Sequence, residues 1–158
     1  MFQVLEHLDR LDELFAHLNV LASPHASLFI AVPNSGVIEF YQENGALLDM
    51  PPNHVGRWNK LGFKTIAERH GFQLVDHKVE RARFPHMHYK YLKYCHLRAS
   101  QKSGSFANRV ESKPDGVVRN LLRVISLLRF CLSCAPAIYG LQKNMGSSQW
   151  VHLRRIPN

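Results

Sequence analysis

Apolar residues near the start of the chain recur with helical spacing and then run on without a break. Leu8, Leu11, Phe15, Leu18 and Leu21 share one helical face, with Asp9, Arg10, Asp12 and Glu13 on the other. Asp9 is placed to cap that helix, and Ser23-Pro24 ends it. The run Leu28-Phe29-Ile30-Ala31-Val32 follows and stops at Pro33-Asn34. Continuous apolar character predicts a strand covered on both faces, as in a parallel sheet. Helix, turn and buried strand together predict an α/β unit. Ahead of them, Phe2 to His7 reads as the end of a strand.

Residues 35–60 hold no period and are broken by Gly36, Gly45, Pro51, Pro52 and Gly56, which predicts a loop. A loop of that length inside a domain is often functional. A helix is expected over 61–70, with Leu61, Ile66 and Ala67 inward and Gly71 as its stop. Alternation from Phe72 to Val79 predicts a further strand. Residues 84–99, rich in His, Tyr and Lys, fit no one assignment, and 100–116 reads as a mobile linker. A long helical segment is expected over 117–141, interrupted at Pro136, and a last strand over 148–154. A membrane span needs about 20 mostly apolar residues. Arg123, Arg129 and Pro136 break this one, leaving a buried or interfacial amphipathic helix.

Composition narrows the partners. A hydrophobic share of 46% with 20% charged residues excludes a largely disordered chain. The formal charge of +8 favours anionic partners: nucleic acid, an acidic membrane surface, or phosphorylated or carboxylated substrates. Three cysteines and no signal peptide at the start suggest a reducing, cytoplasmic setting. Cys131 and Cys134 form a CxxC inside an apolar helical run, with no second pair to complete a zinc site. Core packing is their expected role.

Read in order, several pieces resemble one family. Phe2-Gln3-Val4-Leu5-Glu6-His7-Leu8 resembles the end of the fourth strand in class I, Rossmann-like S-adenosylmethionine-dependent methyltransferases of the ubiquinone-biosynthesis and small-molecule type, where "VLEH" is frequent. The next helix and the Leu28–Asn34 strand resemble that family's fifth strand, ending in "VPN". Pro51-Pro52-Asn53-His54-Val55-Gly56-Arg57-Trp58 is similar to its "PPHHVxxW" loop. Leu61-Gly62-Phe63 through Gly71-Phe72 resembles the helix leading to "GF" and the sixth strand, and residues 148–156 the seventh, antiparallel strand. The resemblance implies an α/β fold: a partial methyltransferase sheet of the fourth to seventh strands, with a helical insertion before the last. Its parts are 1–83, the C-terminal half of the methyltransferase domain; 84–146, a helical cover; and 147–158, the final strand.

Two departures are visible. Pro24-His25-Ala26 replaces the usual Pro-Gly-Gly turn, and the nine glycines include no GxG pair. The family's glycine-rich donor loop and its ribose-binding acid therefore belong upstream of Met1, which implies an incomplete S-adenosylmethionine site and an inactive isolated chain. The resemblance places Phe2 and Gln3 beside the donor, at the carboxyl ends of the strands. Methyl transfer is an in-line displacement, served by positioning and, where the nucleophile needs one, a base.

His7 is the candidate general base or metal ligand, joined by His54 from the loop. Some relatives carry a Glu-x-x-Glu-His metal cluster here. This chain has neutral Gln3 at the first glutamate, so no metal is assigned. His54, Arg57 and Trp58 are positioned to close over substrate, or to pack as an ordinary loop anchored by Trp58. His86 and His88 form an HxH that would make a metal pair on a strand; lacking a third partner, they are read as exposed histidines. Lys90, Lys93, Arg98 and Lys102 among Tyr89, Tyr91 and Tyr94 offer phosphate contacts and stacking, though a solvated face explains them as well.

The expected activity is methyl transfer to a small-molecule or lipid-like acceptor. The alternatives are a non-catalytic module whose partner chain covers the open sheet edge, and an RNA methyltransferase.

Overall fold

The structure, a computed structural model, describes residues 1–43, 46–131 and 145–157. The chain forms two compact units. One comprises Met1–Ile38, Leu48–Glu80 and Met145–Asn158; the other comprises Glu39–Leu47 and Arg81–Asn144.

The first unit is mixed α/β around a three-stranded sheet: β1 (Ser27–Pro33), β2 (Phe72–Val79) and β3 (Ser148–Arg155). The order is β1-β3-β2, and β3 runs antiparallel to both neighbours. Ile30 on β1 pairs with Val151 on β3, and Leu74 on β2 with Leu153. Alternation on β1 buries Ile30 and Val32 completely and leaves Phe29 48% exposed. That corrects the expectation of a strand covered on both faces. The packed face is built from Ile30, Val151 and Leu153 against Phe15 and Phe63 of two helices, α1 (Leu11–Leu21) and α3 (Lys60–Arg69). On the opposite face Phe29 stacks on His152 at 4.5 Å, and Lys78 lies over Trp150 at 5.3 Å. An antiparallel sheet tolerates such one-sided cover.

Other boundaries shift for local reasons. Phe2 makes only a single parallel bridge, to Ala31, instead of a strand. Gln3 has φ +53, which turns the backbone out of extended geometry into a 3₁₀ turn at Leu5–His7. Asp9 does not cap α1; Arg10 is the N-cap residue and its side chain makes no cap bond. Leu61 is 70% exposed because Phe63, Ile66 and Ala67 form the inward face of α3, whose N-cap Asn59 accepts from Gly62 N–H at 2.8 Å. Gly71 ends α3 at φ +75, the left-handed region where its missing Cβ removes the steric cost.

The expected 35–60 loop is shorter, since α2 (Ser35–Glu43) occupies its beginning. Val37, Ile38 and Tyr41 are its buried positions, an i, i+1, i+4 pattern masked in the sequence by Gly36.

The second unit is helical. It holds α4 (Phe84–Gln101), α5 (Phe106–Glu111) and α6 (Val117–Cys131). Residues 84–99 are thus helical, and His86 and His88 are two apart on a helix, where side chains do not face each other. His88 instead stacks on Phe84 at 5.6 Å. The expected linker contains α5, whose N-cap Ser105 accepts from Asn108 N–H at 3.0 Å. Asn108 also donates to the Ser100 carbonyl at 2.8 Å, closing the turn between α4 and α5. Tyr41 of α2 stacks on Tyr94 of α4 at 4.5 Å. Pro136, Cys134 and the Cys131 side chain lie outside the described residues. Among those described, no helix is long and apolar enough to cross a membrane.

Candidate functional site

The 3₁₀ turn after Phe2 carries Glu6 and His7, and the loop before α3 brings His54 onto it. Backbone bonds make the junction. Val55 N–H and Gly56 N–H both donate to the Glu6 carbonyl, at 2.8 and 3.0 Å. His7 Nδ1–H donates to the Asn53 carbonyl at 2.5 Å. The His7 and His54 rings meet edge to face at 4.8 Å.

Glu6 is 1% exposed, and neither carboxylate oxygen has a hydrogen-bond partner. Glu6 Oε1 stands 3.9 Å from His7 Nε2. One ligand atom each from Glu6, His7 and His54 lie within 4.8 Å of one another. A buried carboxylate with no partner is costly unless a proton, a cation or a ligand donor meets it. Because Nδ1 of His7 is committed to the Asn53 carbonyl, Nε2 carries the free lone pair, the second-shell arrangement that orients histidine ligands. His54 Nδ1 is buried without a hydrogen bond and stands 3.3 Å from the Asp49 carboxylate.

The remaining predicted residues fall elsewhere. Phe2 is 71% exposed, and it and Gln3 lie along the edge of β1, where Gln3 N–H donates to the Ala31 carbonyl at 2.8 Å. They offer an open edge, not a cradle that would enclose a donor. Arg57 is exposed and reaches Met50 Sδ at 3.2 Å. Trp58 is buried at 7% exposure, stacked on Phe63 at 5.0 Å within the core cluster. Of its two expected roles, the structure describes the packing one.

Glu6 was not among the expected site residues: it matches the second glutamate of the Glu-x-x-Glu-His cluster, which neutral Gln3 at the first position argued against. Asn53 acts through its carbonyl, which leaves no mark in residue type. Gln149 was missed too. Buried on β3, it donates from Nε2 to the Trp58 and Pro33 carbonyls at 2.6 and 3.1 Å and accepts from His77 Nε2 at 2.9 Å. That side chain ties the site's loop to the sheet.

Among the known proteins compared, no family model and no curated protein matches this chain.

Proposed function

We propose that the chain is part of an S-adenosylmethionine-dependent methyltransferase domain, with an acceptor site at Glu6, His7 and His54 and a small-molecule or lipid-like acceptor. The observation that carries this reading is the convergence of those three residues directly after Phe2, which pairs in parallel with β1. An antiparallel last strand also agrees with the resemblance, although the three described strands do not form a parallel, doubly wound sheet.

Phe2 and Gln3 do not by themselves fit the donor, since Phe2 is exposed along the edge of β1. The donor set of one carboxylate and two imidazoles does fit a divalent cation such as zinc or manganese. When bound, such an ion supplies Lewis acidity toward an acceptor oxygen. His7 Nε2 is the nitrogen free to take the acceptor's proton when no ion occupies the site, and Glu6 stabilises the resulting imidazolium from 3.9 Å. The Asn53 carbonyl holds the ring in place.

Amide NMR of the labelled chain, titrated with S-adenosylhomocysteine, tests this function. Weak, saturable shifts at Phe2, Gln3 and Val4, with millimolar affinity, are the expected result. Shifts confined to α4–α6 would overturn it.

A second reading, a non-catalytic module, draws on the free edge of β1, where pairing beyond β3 is a single bridge at Phe2. Sedimentation at rising concentration distinguishes it, because a self-pairing module would associate.

A further inference from the structure

The helical unit contains a cavity of about 550 Å³ that takes no part in the reading above. Small-molecule sites span roughly 300–1,000 Å³ and combine apolar walls with a few fixed polar groups. This one is formed by one face of α4, by Glu111 at the end of α5, and by α6. Leu92, Leu97 and Leu127 line it as apolar wall, with Lys93, His96 and Arg123 among them.

Its polar end is internally neutralised. Arg123 grips Glu111 with two nitrogens, at 2.7 and 2.5 Å. His96 bridges Glu111 at 2.7 Å and Ser126 at 3.0 Å. The order Ser126–His96–Glu111 has the form of a nucleophile relay. It does not make one, because Ser126 is 2% exposed and is not part of the described cavity wall. Glu111 is also committed to Arg123.

Lys93 is different. Its ammonium has no carboxylate within ion-pair distance among the described residues and lies 6.0 Å from the Tyr94 ring. The residues lining the cavity therefore include one exposed cation, Lys93, without a carboxylate partner among the described residues, beside Leu92, Leu97 and Leu127. An apolar body with a single negative charge satisfies both features. The leucine side chains favour a ligand with an apolar body over a small hydrated anion such as phosphate.

We propose that this cavity binds a long-chain carboxylate, its tail on Leu92, Leu97 and Leu127 and its head at Lys93. The site uses none of Glu6, His7 or His54, so it stands or falls apart from the proposed methyl transfer.

Amide NMR of the full chain with three probes tests it: dodecanoate below its micelle concentration, dodecyltrimethylammonium with the same tail, and acetate with the head alone. Dodecanoate is expected to saturate with shifts on α4 and α6, to exceed the ammonium by about tenfold or more, and to be unmatched by acetate. Lys93→Glu, at an exposed position, should reverse the preference between the two amphiphiles. Leu127→Trp should fill the cavity and abolish binding. Equal affinity for the two amphiphiles in the natural chain, or shifts confined to the sheet unit, would overturn the proposal. If Leu127→Trp does not fold, the Lys93→Glu reversal decides alone.

Discussion

His7 Nδ1 donates to the Asn53 carbonyl at 2.5 Å, and that one bond leaves Nε2 as the free imidazole nitrogen beside the buried Glu6 carboxylate. The residue that orients His7 therefore comes from the same loop that delivers His54.

Divalent binding follows from that geometry. Cobalt titrated into the chain should give the visible absorption of a histidine-bound ion. Glu6→Gln or His54→Ala should weaken binding by about 10-fold or more. Equal cobalt affinity in the natural chain and both variants would remove the metal role.

Without metal, the same Glu6→Gln substitution should have the opposite sign in stability. It replaces a buried carboxylate lacking a hydrogen bond with a neutral amide of similar shape. Urea unfolding at neutral pH should show a gain of about 1–2 kcal/mol. A loss of stability would mean that Glu6 is already satisfied in the native protein.

Acid should loosen the helical unit. Hydrogen bonds from Arg123, aided by His96 and opposed by partial burial, hold the Glu111 carboxyl at about 2, below its ordinary 4.5. A depressed folded pKa gives stability that is fully present above 4.5 and is lost as pH falls toward 2. With allowance for solvent screening, its worth at neutral pH is about 1–2 kcal/mol. The stability gap between the natural chain and Glu111→Gln should therefore shrink as urea melts are repeated down that range. A constant gap would show that the ion pair does not titrate in it.

Gln149→Leu should cost about 2–3 kcal/mol, because the Trp58 and Pro33 carbonyls lose their buried donor. The urea midpoint measures it, and a cost below the error of the melt would mean that water replaces the amide.

Two glycines should respond differently to alanine. A Cβ at Gly146 would collide with the Glu80 carbonyl, so Gly146→Ala must displace backbone and should cost about 1–3 kcal/mol. Gly71 has open space around it and a φ of +75, so Gly71→Ala should cost about 1 kcal/mol from backbone conformation alone. The reverse ranking in parallel melts would place the strain at the end of α3.

The periodic elements were legible from residue order. α1, α3 and the three strands each carry their spacing within a short window. α4 was not legible, since its buried positions Met87, Tyr94 and His96 lie among lysines and histidines that blur the apolar stripe. α5 was hidden by the Ser and Gly residues that in fact cap and turn it. His7 and His54 were visible as chemistry, but their meeting was not, because it depends on backbone bonds from Val55 and Gly56 to the Glu6 carbonyl.

The sequence by itself determined where α1, α3 and the three strands form, because periods of 3.6 and 2 are local properties of the chain. It also determined that the nine glycines include no GxG pair. Only the tertiary structure decided that β3 inserts between β1 and β2 and leaves Phe29 on an uncovered face. It also decided that Glu6 is buried without a partner and that Gln149 ties the loop to the sheet. Such features arise from long-range pairing of backbone and buried polar groups, and residue type alone does not encode which distant carbonyl a donor will find.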